Sequence, residues 1–480
     1  GNGPSGISLS YMLSGYRPYY NYSSSSSSNH DKNSSSSSNN SRHPNELLHA
    51  RIMNMTLESR ENILEQDLGL LSEGLEGRST NPVALLFDAL TNPNADLGMP
   101  RPPAIDWHFD WTAKYVPHVV IGKAMPGGTW QTMEKTMKSL SISSLLQLPG
   151  LPIDDWLLKH RLLLLFLASV DEACQYFLDF IDVNKLSKNF LNFHLVTKVQ
   201  KVLAHSKKYL WEVTGIDSTG RPFCYRAPRL VLATGSSDRP NRLGVNGESL
   251  PNILHSHAEF ETFINSRLAS GRGKRCNSSC PVNDFVNTHP IVIVGSGLSA
   301  ADAVLYALDR QIPVIHIFRS DFETLNKIYS NLSPVIYPEY TRVYDLMTQK
   351  VVLNGLYKSY PGVEILGFTR NHQVEEGFTF DVYGSLCVPE CDQEQSLTIQ
   401  ASLVIILIGS QHNLSFLDDE ILKNLYKTPK LLIDVNPVTY QSNQHRGLYA
   451  MGPLVGDNFV RYLGGGAMGI ASHIIKDLSV

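Results

Sequence analysis

Gly295 and Gly297, with the small Ala300 behind them, set out the G-x-G-x-x-A spacing that lets a backbone lie against a pyrophosphate. Gly295 permits a tight turn, Gly297 clears the side chain from where phosphate approaches, and Ala300 allows close helix packing. The unpaired amides of the helix N-terminus then face the phosphates. A bare glycine triplet is weak evidence in a chain with 34 glycines, so its setting must carry the weight. Arg319 ends the next apolar run, Pro313-Val-Ile-His-Ile-Phe318, where an NAD site carries a ribose-binding carboxylate. An arginine there suits the 2′-phosphate of NADP, because its planar fork donates two charge-assisted hydrogen bonds. The competing reading is a solvated cation at a strand end.

Three more stretches offer similar chemistry. Gly1-Asn-Gly-Pro-Ser-Gly6 is a second glycine triplet, with Ile7 to Leu13 continuing as a helix start. No strand precedes it, so the chain reads as a fragment or a misassigned start that lacks its opening strand. Gly127, Gly128 and Trp130 form a G-G-x-W loop that offers flat backbone and a stacking face. A glycine turn with a core tryptophan explains that loop equally well. The terminal block Gly447 to Asp457, followed by Gly464-Gly-Gly-Ala-Met-Gly-Ile470, reads as a strand, a Gly-Asp pair and a helix N-terminus. Asp457 is then able to accept from ribityl hydroxyls while backbone amides hold phosphate or the flavin edge.

The elements that must position these residues follow from periodicity. Ile291 to Val294 is an unbroken β-branched run, as expected of a strand buried on both faces of a parallel sheet. Pro117 to Ile121 is a delayed second strand of the first domain. Arg229 to Pro240 is an apolar strand ending in Ala-Thr-Gly, a backbone crossing beside a cofactor, and Leu403 to Ser410 repeats it in degraded form. Phe193 to Val202, Tyr209 to Val213 and about 363 to 403 alternate as antiparallel strands do. Tyr176, Phe177 and Phe180 have helical spacing, which favours a core face over a substrate wall. From Tyr16 to Asp110 the chain leaves any compact βαβ unit. Its polyserine tract is expected to be disordered, while Glu46–Leu71 and Pro82–Leu90 recover helical period.

At 480 residues the chain accommodates two or three domains, and a net charge of −4 gives no basic face for nucleic acid or anionic membrane. Cys276–Cys280 and Cys387–Cys391 lack flanking histidines at ligand spacing, so no metal is expected and the thiols read as free. No C-x-x-C is present, which argues against a flavin–dithiol relay. The Leu162–Val170 run is too short for a bilayer core of about 30 Å. With no secretory signal visible, the chain reads as soluble and cytoplasmic.

In this order the motifs resemble the flavin-containing monooxygenases, and more narrowly the oxidative stress-induced growth inhibitor family. The closest stretches are Gly1–Ile7 with Tyr11–Pro18, Gly74–Ser79, Gly295–Ala303 and Gly452–Arg461. The resemblance implies an α/β fold of two dinucleotide-binding (Rossmann-like) domains, the NADPH domain inserted in the FAD domain. The FAD domain would span 1–250 and 403–480, with an insertion at 20–110 disordered over 20–45, and the NADPH domain 251–402. It implies FAD at Gly1, Gly3, Gly6, Gly127, Gly128, Trp130, Thr234, Gly235 and Asp457, and NADPH at Gly295, Gly297, Ser299 and Arg319. The implied activity is monooxygenation with O2 through a C4a-hydroperoxyflavin, on a small molecule or a protein side chain. Members are linked to growth control, oxidative stress, cell death and cytokinesis, and a partner could dock on the 46–110 insertion. The second strand, however, ends at Gly122-Lys123 with no ribose carboxylate, and the signature F-x-G-x-x-x-H-x-x-x-Y survives only as His255-Ser256. Pro251 takes its glycine position and Phe260 falls one place late. No catalytic residue is named; His255 is a candidate, and equally a hinge residue. The alternative is a regulatory protein of little turnover on the same fold.

Overall fold

The computed structural model describes residues 1–21, 43–56, 62–113, 115–135, 137–160, 167–204, 208–271, 290–370, 380–386, 395–427 and 432–479. The expected disorder over 20–45 falls largely outside these residues, as do Cys276, Cys280, Cys387 and Cys391. The chain divides into two compact units, one of 1–236 with 412–480 and one of 237–411 that interrupts it.

In the first unit the helix Pro4–Leu13 is buried on every side, which its mostly apolar sequence permits. It packs against the C-terminal helix Val460–Ser479. Val120–Ile121 runs parallel to Phe190–Leu191, and Leu230–Leu232 parallel to Leu448–Ala450. The strands Leu195–Leu203, Tyr209–Ile216 and Pro222–Ala227 form an antiparallel sheet, matching their alternating pattern. The helix Val170–Val183 starts at a capping box, in which Ser169 and Glu172 satisfy each other's backbone amides. Its Tyr176, Phe177 and Phe180 are fully buried, as a core face requires.

The insertion stands on a two-stranded neck, Tyr16–Tyr20 antiparallel to Ile105–Phe109. Arg17 in that neck is buried and donates to the carbonyls of Met12 and Tyr16, so a cation closes the C-terminal end of the first helix. The insertion helix Pro82–Thr91 then packs along the C-terminal helix. Arg461 locks the two together, bridging Asp88 and, at 2.8 Å, Asp96. The insertion is thus part of this unit's core, with Val83, Leu86, Phe87 and Leu90 buried in it.

The second unit is built on a five-stranded parallel sheet in the order Ile253–Leu254, Leu403–Ile406, Ile291–Val294, Val314–Phe318, Tyr357–Pro361. Ile291 and Ile293 face one core with the helices Leu298–Asp309 and Pro338–Met347. Val292 and Val294 face another, with Val363, Ile365 and Phe368. Residues alternate faces along a strand, so an all-apolar strand needs cover on both sides. The second cover is an antiparallel sheet of Val363–Arg370, Phe380–Leu386 and Gln395–Ala401.

Candidate functional site

The first cradle is assembled from four distant segments of the first unit. A Cβ on Gly1 would lie 1.9 Å from the Ala233 carbonyl oxygen, so the first glycine rests directly on the Ala-Thr-Gly crossing. A Cβ on Gly6 would meet the Gly1 oxygen at 2.1 Å, which closes the turn. Gly3 sits against Gly127 and Gly128, and the Gly127 amide donates to the Asn2 carbonyl at 2.9 Å. Gly127, Gly128 and Gly235 all have positive φ, at 122°, 62° and 75°. A Cβ on Gly235 would touch nothing within 4 Å. Seven of the thirteen predicted residues thus fall in or beside these turns: Gly1, Gly3, Gly6, Gly127, Gly128, Thr234 and Gly235.

Thr234 carries the informative atom. Its Oγ1 is buried and has no hydrogen-bond partner among the described residues. Such a hydroxyl costs free energy unless something satisfies it, so the crossing fits a ligand that brings a polar group to this point. Trp130 is half-buried and meets Phe177 edge-on at 5.9 Å, on the margin of the core.

One reading of the terminal block is corrected, that of Gly464 to Gly466. Asp457 is buried, and its carboxylate accepts from Ser79 Oγ at 2.7 Å, Asn81 Nδ2 at 2.9 Å and Tyr440 OH at 3.4 Å. Burial pushes its pKa up to about 6 against these donors. Through these bonds it anchors the insertion's entry loop. The residue of this block that reaches the cradle is Gly452, where a Cβ would lie 2.8 Å from Ser5 Oγ. Gly464 to Gly466 do not form a helix N-terminus, since the helix begins at Val460. A Cβ on Gly464 would strike Phe87 at 2.2 Å, and one on Gly465 the Ala84 Cα at 2.3 Å. These glycines let the insertion helix approach.

Asn2 was not singled out by its sequence. It is buried and donates from Nδ2 to Ala124 O at 2.8 Å and to Asn192 Oδ1 at 3.1 Å. A Cβ on Gly122 would lie 2.1 Å from the Asn2 amide, so position 122 has no room for the ribose carboxylate expected there.

The second unit holds the second cradle. Gly295 has φ 131° and a Cβ there would meet the Leu407 oxygen at 2.2 Å, whereas a Cβ on Gly297 would touch nothing within 4 Å. Gly297 is the N-cap of Leu298–Asp309 without a side-chain cap, so no side chain occupies the Leu298 and Ser299 amides of the first turn. Ser299 is exposed on that turn and Arg319 is exposed past the end of Val314–Phe318. Ser320, next to Arg319, bonds Ser296 of the glycine turn through their hydroxyls at 2.7 Å, which keeps that strand end beside the cradle. The open Gly297 fits a phosphate group and the neighbouring Arg319 a second anionic one.

His255 is buried, with Nε2 3.0 Å from Glu248 Oε1 and Arg242 against its ring. Glu248 also accepts the Leu243 and Gly244 amides. The histidine closes a charged cluster at the loop entering the second unit. Among the described residues no group of three or more His, Cys, Asp or Glu is placed to hold a metal, and no helix is long and apolar enough to cross a membrane.

No family model matches the chain. It is 36% identical to oxidative stress-induced growth inhibitor 2 of Homo sapiens over 509 residues, covering 98% of this chain and 91% of that protein. Its fold is similar to ornithine hydroxylase from Pseudomonas aeruginosa, with a TM-score of 0.56, 14% identity and coverage of 84% and 98%. It is also similar to bacillithiol disulfide reductase from Bacillus cereus, with a TM-score of 0.55, 16% identity and coverage of 82% and 96%. These likenesses establish the fold as α/β with two dinucleotide-binding domains.

Proposed function

Because the chain belongs to the oxidative stress-induced growth inhibitor family, we propose that it is an FAD- and NADPH-dependent monooxygenase acting on a small molecule or protein side chain. The observation that carries this reading is the convergence of Gly1–Gly6, Gly127–Gly128 and Ala233–Gly235 around the unpartnered Thr234 hydroxyl. Bound FAD supplies hydride acceptance and the activation of O2. Gly1, Gly3 and Gly6 would carry its pyrophosphate, Gly127, Gly128 and Trp130 would flank it, and Thr234 would donate to it beside Gly235. Gly295, Gly297 and Ser299 would hold the NADPH pyrophosphate, with Arg319 on the 2′-phosphate. The chain's own task is to bind, orient and keep water from the reacting centre, and no side-chain acid or base is required.

The test is FAD content by absorbance together with NADPH-dependent O2 consumption. Bound flavin, anaerobic bleaching by NADPH and product oxygenation support the reading; an intact protein that takes up no FAD overturns it. Asn2 filling the room of a ribose carboxylate, and His255 locked against Glu248 and Arg242, favour a second reading. That reading is a regulatory flavoprotein of little turnover, marked by flavin bound without NADPH-dependent O2 consumption.

A further inference from the structure

An amide cradle binds an anion only if its carbonyls point elsewhere, because a single inward oxygen cancels much of the attraction of the N–H groups. In the Gly295 turn all three carbonyls are engaged from behind. His316 Nε2 lies 2.6 Å from Gly295 O, Tyr329 OH donates to Ser296 O at 3.3 Å, and Gly297 O accepts the Ala300 and Ala301 amides at 3.0 and 3.1 Å. His316 sits in the middle of Val314–Phe318 and is fully buried. Carbonyl oxygen only accepts, so Nε2 carries the proton and Nδ1 accepts from Tyr357 OH at 2.8 Å. The hydroxyl of the last strand of the sheet thus sets the tautomer of a histidine that holds the phosphate turn.

We propose that His316, oriented by Tyr357, is a positioning residue for the dinucleotide pyrophosphate: it draws the Gly295 carbonyl back so that the amides after it face the ligand. This rests on the NADPH assignment above. The imidazole never touches the ligand, and it stays neutral because burial pushes its pKa down to about 4. A histidine placed for packing alone would fill the same volume without needing a donor at Nε2, and the two roles separate by experiment.

The full-length variants His316→Phe, His316→Gln and Tyr357→Phe are compared with wild type by fluorescence titration with NADPH and with 2′-AMP, which lacks the pyrophosphate. FAD content and thermal unfolding are followed in parallel. His316→Phe is expected to weaken NADPH about ten-fold, as for a lost buried hydrogen bond, and to leave 2′-AMP unchanged. His316→Gln, with an amide donor and a carbonyl acceptor, restores NADPH to within about three-fold of wild type, and Tyr357→Phe is intermediate. Equal losses for both ligands, no rescue by glutamine, or wild-type affinity in Tyr357→Phe and His316→Phe overturn the proposal. Failure of the wild type itself to bind NADPH overturns the NADPH assignment, and this inference with it.

Discussion

Replacing Thr234 with valine exchanges a buried hydroxyl for a methyl of nearly the same shape. The Thr234 Oγ1 is buried and has no partner among the described residues. An unsatisfied buried hydroxyl costs about 1–3 kcal/mol, so its removal should stabilise the flavin-free protein by roughly 1 kcal/mol. For a unit of this size that is a rise in melting temperature of about 2 °C. If the hydroxyl donates to bound FAD, the same change removes a hydrogen bond worth about 1–2 kcal/mol, weakening FAD roughly five- to thirty-fold. One substitution therefore moves the two quantities in opposite directions. The assay pairs scanning calorimetry of the deflavinated protein with FAD titration followed by flavin fluorescence. A variant that melts lower without FAD, or binds FAD as tightly as wild type, would refute the assignment of Thr234 to the cofactor.

Four further outcomes follow from the same geometry. Gly297→Ala meets no atom within 4 Å and should fold as wild type while losing at least about ten-fold in NADPH affinity. Gly465→Ala places a methyl 2.3 Å from Ala84 Cα and should cost more than about 2 kcal/mol with no selective effect on NADPH; unfolding and titration distinguish them. Asp457 binds its proton more tightly folded than unfolded, so its contribution favours the folded state at low pH and is lost as pH rises from about 4 through about 6. The stability difference between wild type and Asp457→Asn should change across that window and level off above about pH 7, as urea titrations at stepped pH will record. Arg319→Ala should reduce the preference for NADPH over NADH by about ten-fold or more, measured as the ratio of their dissociation constants.

Much of the candidate site could be read before folding. Both glycine turns were located, together with the loop at Gly127–Gly128 and the crossing at Thr234–Gly235, because each is a short run of small residues beside an apolar strand or helix. The missing carboxylate after the second strand was legible too, though not its reason, which is that Asn2 occupies the room at Gly122. The glycines at 464–466 do not start a helix, which begins at Val460. A Gly-Asp pair before glycines reads like an anion site, yet here it is Gly452 that reaches the cradle while Asp457 anchors Ser79 and Asn81. His316 left one signal that went unused: a histidine inside an otherwise apolar strand must find partners when buried.

The amino-acid order alone pointed to two dinucleotide cradles, since one is a strand, a turn and a helix written within a dozen or so neighbouring residues and the other a glycine turn running straight into a helix. Only the tertiary structure decided which glycines serve a ligand and which serve another helix. Whether a missing side chain leaves open space, as at Gly297, or admits Ala84, as at Gly465, depends on segments hundreds of residues away in the chain or brought close only by packing. Spacing encodes backbone shape; occupancy of the space beside it is a property of the packed interior.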